Sequence, residues 1–164
     1  MSVLEICEWI ETTPIGVLVR ESLWGFQVFV AIHILGLAVS VGTVVWFDFR
    51  LLGVSMRRVP VSTVYRHLMP CAIGGFLIMF VSGGGLFSGF ATAAYGNTYF
   101  RIKAFAIVLA GANALTYHLV TERRLTVWNE AVRPPLPARL AGLISIVLWA
   151  VVLLSGRMMS YTMF

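Results

Sequence analysis

The sequence SLWGFQVFVAIHILGLAVSVGTVVWF, residues 22–47, contains no Asp, Glu, Lys or Arg over 26 consecutive positions. A helix needs about 20 residues to cross the roughly 30 Å hydrocarbon core of a bilayer, so this run is long enough to span a membrane. Three more charge-free runs follow, at residues 67–100, 104–121 and 140–156. The first of these is too long for one helix, and the glycines and Asn97 near its end predict a loop. We predict four transmembrane helices, near residues 22–48, 66–89, 101–121 and 138–160.

The composition supports this prediction. Hydrophobic residues make up 59% of the 164 positions and charged residues only 12%, whereas about a quarter of an ordinary soluble domain is charged. A soluble chain of this length could not bury so much apolar surface. Helices are favoured over membrane strands because the runs are apolar on both alternating faces. We therefore predict an all-α fold, an integral membrane four-helix bundle that forms a single transmembrane domain over residues 1–164.

The charges between the spans predict the orientation. Eight of the twelve basic residues follow the first and third spans: Arg50, Arg57, Arg58, Arg66, Arg123, Arg124, Arg133 and Arg139. By the positive-inside rule this side is cytoplasmic, which places both termini on the outer side. The segment from Leu4 to Val19 carries Leu4, Cys7, Glu8 and Glu11 at helical spacing, which predicts a short helix lying on the outer interface.

Several classes of function are disfavoured. A nucleic-acid binder clusters its cations on a solvated face, but the cations here lie in short loops, so no nucleic-acid partner is expected. Cys7 and Cys71 are far apart, and the chain has no CxxC, CxxCH or zinc-binding spacing. The motifs of soluble nucleotide-binding and hydrolytic enzymes are also missing. Whether the protein is an enzyme stays open.

The three histidines lie within or at the ends of the predicted spans, on faces of small residues. His67 and His118 have similar depths near the cytoplasmic side, and two imidazoles at one depth can ligate a haem iron from both sides. We therefore predict haem b, with His67 and His118 as axial ligands. His33 lies near the bilayer middle, where an ionisable side chain is costly and usually functional. It is an alternative ligand paired with His118, a proton or quinone contact, or a neutral hydrogen-bonded imidazole.

Other polar residues in the spans are candidates for cofactor binding. Lys103 and Arg157 near the outer side could hold haem propionates, a lipid phosphate or another subunit, or could instead reach outward to the headgroups. Asn113 lies in the middle of the third span, where it could bind a quinone carbonyl or join two helices by a hydrogen bond. Asp48, near Arg50, is interpreted as part of an ion pair or as a polar anchor at a helix end.

Four segments in order resemble a family of small bacterial inner-membrane proteins of unknown function. They are IHILGLAVSVGTVVWFDFRLLG (32–53), RHLMPCAIGGF (66–76), FRIKAFAIVLAGANALTYH (100–118) and ARLAGLISIVLWAVVLLSGRMMSY (138–161). The family is distantly similar to the copper-resistance D membrane proteins and to small b-type cytochromes, which also place a His before a Gly in the first helix. The resemblance implies a four-helix protein of the bacterial inner membrane and no settled activity. Cys71 departs from the family pattern, which usually has an aromatic residue there.

The leading hypothesis is a small b-type cytochrome that passes electrons between a partner and the quinone pool, or that anchors a redox complex. Its partners would be the lipid bilayer and other membrane subunits or further copies of the chain. One alternative is a non-catalytic accessory subunit of a larger membrane complex. Another is a copper-handling or metal-handling membrane protein that uses His33 with soft ligands from Met69, Met79 or Cys71.

Overall fold

The computed structural model describes residues 2–121 and 125–163, and the regular elements in these residues are all helical. The four long helices are α3 (Gly25–Leu52), α4 (Val61–Gly89), α6 (Thr98–Thr116) and α8 (Leu136–Met163). The short helices are α1 (Val3–Glu11), α2 (Pro14–Glu21), α5 (Ala91–Gly96) and α7 (Leu125–Trp128). A π-helical turn over Tyr117–Thr121 extends α6.

The predicted number of long apolar helices is confirmed: four helices of the described residues are long and apolar enough to cross a membrane. Their ends differ by a few residues from the predicted ones. Helix α3 continues to Leu52 and stops where Gly53 adopts a left-handed φ of 72°, a common way to end a helix. Helix α6 begins after Asn97, whose side chain accepts hydrogen bonds from the Tyr99 and Phe100 amides.

The N-terminal segment forms two helices rather than the single predicted helix over Leu4–Val19. Pro14 has no amide hydrogen to continue α1, and proline is well suited to the first turn of a new helix. Thr13 caps α2 by accepting a hydrogen bond from the Gly16 amide at 3.3 Å. The two helices pack against α4 and α5. The carboxylate of Glu11 accepts from the Thr92 amide and hydroxyl at 2.8 and 2.6 Å, which joins α1 to α5.

Helix α3 is the centre of the bundle: it packs against α4 and α8, and α8 packs in turn against α6. Glycines permit the closest approach, between α3 and α4. A Cβ atom added to Gly75 would lie 2.6 Å from the Ser40 amide nitrogen, and one added to Gly36 would lie 2.9 Å from the Met79 nitrogen. Gly36 and Gly75 are thus helix contacts, as small residues commonly are in membrane bundles.

The two ends of the bundle differ in character. At the terminal end, α1, α2 and α5 lie together, and Asn97 donates a hydrogen bond of 2.8 Å to Thr162 near the C-terminus. At the opposite end, here called the arginine end, the fully buried Arg50 donates to the carbonyl oxygens of Val59 and Ala131 at 2.8 and 3.1 Å. One side chain of α3 therefore holds both loops of this end. Of the predicted loop cations, Arg123 and Arg124 lie outside the described residues.

Candidate functional site

A cavity of about 380 Å³ lies between the four long helices in the half of the bundle nearest the terminal end. Its wall is mostly apolar and includes side chains such as Phe26, Leu37, Phe87 and Val152. Only a few polar side chains reach it: His33, Lys103, Arg157 and Ser160. Pockets for small molecules typically combine apolar walls with a few placed polar groups. This cavity is therefore the candidate functional site.

His33 lines the cavity, and one of its ring nitrogens is hydrogen-bonded to α4. Its Nδ1 lies 2.9 Å from the carbonyl oxygen of Met79 and 3.2 Å from Ser82 Oγ. Because a carbonyl oxygen can only accept, the hydrogen bond to Met79 places the proton on Nδ1 and leaves the lone pair on Nε2. No described residue forms a hydrogen bond with Nε2. The half-buried imidazole thus has a fixed orientation, a fixed tautomer and one available ligating nitrogen.

Gly83 makes room for the His33 ring. A Cβ atom added to Gly83 would lie 2.9 Å from Cε1 and 3.3 Å from Nδ1 of that ring. The imidazole therefore lies directly against the backbone of α4, and any side chain at position 83 would displace it. The sequence shows a run of three glycines here but gives no sign that the histidine of another helix lies against it.

Two cations complete the polar part of the site. Lys103 is half-buried, and its side chain runs along α8, with Nζ 3.6 Å from where a Cβ of Gly156 would lie. It forms neither an ion pair nor a hydrogen bond with any described residue, and it is near enough to His33 for electrostatic interaction. Arg157 is exposed at the rim, where it donates to Tyr161 Oη at 2.8 Å and stacks over that ring. An uncompensated cation in an apolar wall favours an anionic group on a ligand.

The structure does not bring His67 and His118 together. His67 is exposed, and its Nδ1 lies 2.7 Å from the Thr63 carbonyl of its own helix. His118 lies in the π-helical turn, with Nε2 3.2 Å from Tyr65 Oη. Residues two positions apart on a helix point about 200° apart, so His67 faces away from the side on which Tyr65 meets His118. Two residues at the same depth in their predicted spans need not have side chains that face each other.

His33 and His118 are also apart. On α4, His33 contacts Met79 and Ser82, whereas His118 contacts Tyr65. These contact points are separated by at least 14 residues, or roughly 20 Å along the helix axis. The cavity therefore has one imidazole from the described part of the chain, that of His33. Within those residues, no group of three or more His, Cys, Asp or Glu side chains is arranged to hold a metal ion.

The remaining predicted polar residues join helices. Asn113 does not line the cavity; it donates a hydrogen bond of 2.9 Å to the Ala141 carbonyl and so connects α6 to α8. Asp48 is buried against α8 and hydrogen-bonded by Ser145. The ion pair between Asp48 and Arg50 is not formed. Because the two residues are two positions apart on α3, their side chains leave the helix on nearly opposite sides.

Comparison with known proteins identifies the family. Residues 6–162 match the family described as "Family of unknown function (DUF6644)", so the chain belongs to that family. The predicted resemblance to a family of unknown function is thereby confirmed. No curated protein and no solved structure gives a significant match. The similarity to copper-resistance D proteins and b-type cytochromes stays a prediction.

Proposed function

We propose that this is a small membrane redox protein that binds haem b in the cavity of the terminal half, with His33 as an axial ligand. The observation that carries the proposal is the 2.9 Å hydrogen bond from His33 Nδ1 to the Met79 carbonyl. Histidines that ligate metals typically donate their other ring N–H to a backbone carbonyl or a carboxylate, which fixes the ring and its tautomer. His33 has this arrangement, and its Nε2 has no hydrogen-bond partner among the described residues.

The two cations fit the charge of haem. Lys103 has no anionic partner among the described residues, and Arg157 lies at the rim with its guanidinium held by Tyr161. Both could bind propionate groups through charge-assisted hydrogen bonds, which are stronger than neutral ones. This use of Lys103 and Arg157 explains why two cations border a largely apolar cavity.

A residue of α8 would hold the haem together with His33. Met159 lines the cavity, and His/Met ligation is an established arrangement in haem proteins. The haem, when bound, would supply reversible one-electron transfer, while the protein supplies ligation, burial and charge. His67 and His118 are not ligands in this proposal. His33 and Met159 take the place of that histidine pair, which was predicted from the similar depths of His67 and His118 in their spans.

The proposal places the chain in a bacterial inner membrane with the arginine end in the cytoplasm. The loop cations support that orientation through the positive-inside rule. The cavity would then lie in the outer leaflet, with both termini on the periplasmic side. Electrons would be exchanged there with the quinone pool or with another membrane subunit.

Visible absorption of the detergent-purified protein tests the proposal. We expect a Soret band and, after reduction with dithionite, the sharper bands of a reduced b-type haem. His33→Ala should lose haem, whereas His67→Ala should keep it, because His67 is exposed and, among the described residues, is hydrogen-bonded within its own helix. Met159→Leu should keep haem but change the spectrum. A haem-bound His33→Ala protein with the wild-type spectrum would show the ligand assignment to be wrong.

A quinol site is the second candidate, and one observation favours it. Only one imidazole of the described residues reaches the cavity, and its Nε2 is an acceptor that could take the hydrogen bond of a quinol hydroxyl. Lys103 would bind the developing negative charge on the ring oxygen. Purified protein that is colourless, but from which organic solvent extracts a quinone in wild type and not in His33→Ala, would support this function over haem binding.

A further inference from the structure

The second feature of interest lies in the other half of the bundle, at Asp48. Asp48 is the single acidic residue within the four membrane-length helices. Its side chain is only 4% exposed and faces α8 where the two backbones come close. A Cβ atom added to Gly142 would lie 3.1 Å from the carbonyl oxygen of Asp48. The carboxyl group is therefore enclosed between two helices.

Its hydrogen bonds are incomplete. The Ser145 hydroxyl binds the carboxyl group from α8, but Oδ2 is buried and has no hydrogen-bond partner among the residues that the structure describes. Arg50, two residues further along α3 and on nearly the opposite side of that helix, donates from its Nε and Nη2 to the Val59 and Ala131 carbonyls. No cation of the described ranges, 2–121 and 125–163, forms an ion pair with Asp48.

A carboxylate in this setting would be an isolated buried charge. Burying an ionised group without a counter-ion or a full set of donors is far more costly than burying its neutral form. The neutral acid can still accept the Ser145 hydrogen bond through its carbonyl oxygen, and leaving one O–H weakly bonded costs less than leaving a charge unpaired. The geometry thus favours a carboxyl group that carries a proton.

We infer that Asp48 is a proton-binding site within the membrane, which holds one proton at neutral pH and exchanges it with water at the arginine end. Asp48 lies four residues before the end of α3, or about 6 Å along the helix axis, which is near the level where water reaches the lipid headgroups. The proton is taken from that water and returned to it, so no oxidant or further reactant is needed. This inference does not depend on what the cavity binds.

Infrared spectroscopy of the 164-residue protein at pH 7 tests the inference. A maltoside detergent is suitable because it has no ester or acid carbonyl that would hide the signal. We expect the C=O stretching band of a protonated carboxylic acid in wild type and its loss in Asp48→Asn. Glu8→Gln is the matched control, since Glu8 is exposed, and it should keep the band. In D2O the band should move to lower frequency as O–H becomes O–D.

Ser145→Ala provides a second variant in case Asp48→Asn does not fold. Removal of the hydroxyl weakens the hydrogen bond to the acid carbonyl, so the band should move to higher frequency. The inference is overturned if wild type has no acid band at pH 7, or if the band survives Asp48→Asn. It is also overturned if the frequency of the band does not change in D2O, or if the frequency is the same in Ser145→Ala as in wild type.

Discussion

Replacing Arg50 by methionine should destabilise the protein much more than replacing any loop arginine. Arg50 is fully buried and donates two hydrogen bonds, to the Val59 carbonyl at 2.8 Å and to the Ala131 carbonyl at 3.1 Å. These bonds join the α3–α4 loop to the segment before α8, across 81 residues of sequence between Arg50 and Ala131. Methionine retains much of the apolar volume but has no donor, so both carbonyl oxygens would lose their partner.

The magnitude follows from the hydrogen bonds. A bond from a charged donor contributes about 1.5–3 kcal/mol, so two such bonds represent about 3–6 kcal/mol. The substitution also removes the buried Nη1, which has no hydrogen-bond partner in the described part of the chain, and relief of that unsatisfied group returns about 1–3 kcal/mol. Taking the middle of each range, we therefore expect a net loss of about 2–3 kcal/mol in the free energy of unfolding. The free energy of unfolding of Arg50→Lys should lie between those of Arg50→Met and wild type, because one ammonium group cannot reproduce both hydrogen bonds of the planar guanidinium group.

Unfolding in mixed detergent and dodecyl sulfate micelles, followed by circular dichroism, would measure this loss. Arg58→Met is the matched control, since Arg58 is exposed in the same loop, and it should leave the unfolding midpoint nearly unchanged. If Arg50→Met and Arg58→Met had the same midpoint, the two carbonyl contacts would not contribute to stability and the reasoning would be refuted.

Three further predictions concern helix packing, the N-terminal helices and the cavity. Gly75→Ala should lower stability by about 1–3 kcal/mol in the same assay, because the new methyl group would meet backbone at 2.6 Å; Gly74→Ala, which meets open space, should not. Glu11→Ala removes the two hydrogen bonds from Thr92, so amide hydrogen exchange in α1 and α5 should accelerate while α8 stays protected; equal acceleration throughout would contradict a local role. Lys103→Met should fold normally but weaken haem retention severalfold, measured by haem content after dialysis; undiminished content would exclude a propionate contact.

The number of spans could be predicted because lipid imposes a simple requirement on sequence: about 20 residues without exposed charge. The ends of the helices depend on local capping residues, and only some of these can be recognised in the sequence. Gly53 and Asn97 are recognisable helix-ending and helix-starting residues. Pro14 ends α1 because it has no amide hydrogen to continue that helix. The helical spacing of residues from Leu4 to Val19 does not indicate this break.

The candidate site was predictable only in part. His33 could be identified because an ionisable residue in mid-span is rare, and Lys103 and Arg157 because they are cations on the less basic side. The backbone carbonyl of Met79 fixes the orientation of the His33 ring. Every residue has a backbone carbonyl, so the sequence does not indicate which one contacts His33. Whether His67 faces His118 depends on how each helix is rotated about its axis. The depth of a residue in its span gives no information about that rotation. Tyr65, which faces His118 instead, is separated from it by 53 positions.

The π-helical turn over Tyr117–Thr121 also affects how the chain can diverge. Such a turn closes its hydrogen bonds over five residues instead of four and so accommodates one residue more than an α-helical turn. Loss of one residue within it would restore regular geometry locally and leave the register of Thr98–Thr116 against α8 intact. A deletion anywhere inside α3 would instead rotate all later side chains of that helix by about 100° and misplace the glycine contacts with α4. Gaps in sequence alignments of the family should therefore be tolerated at this turn and excluded from α3.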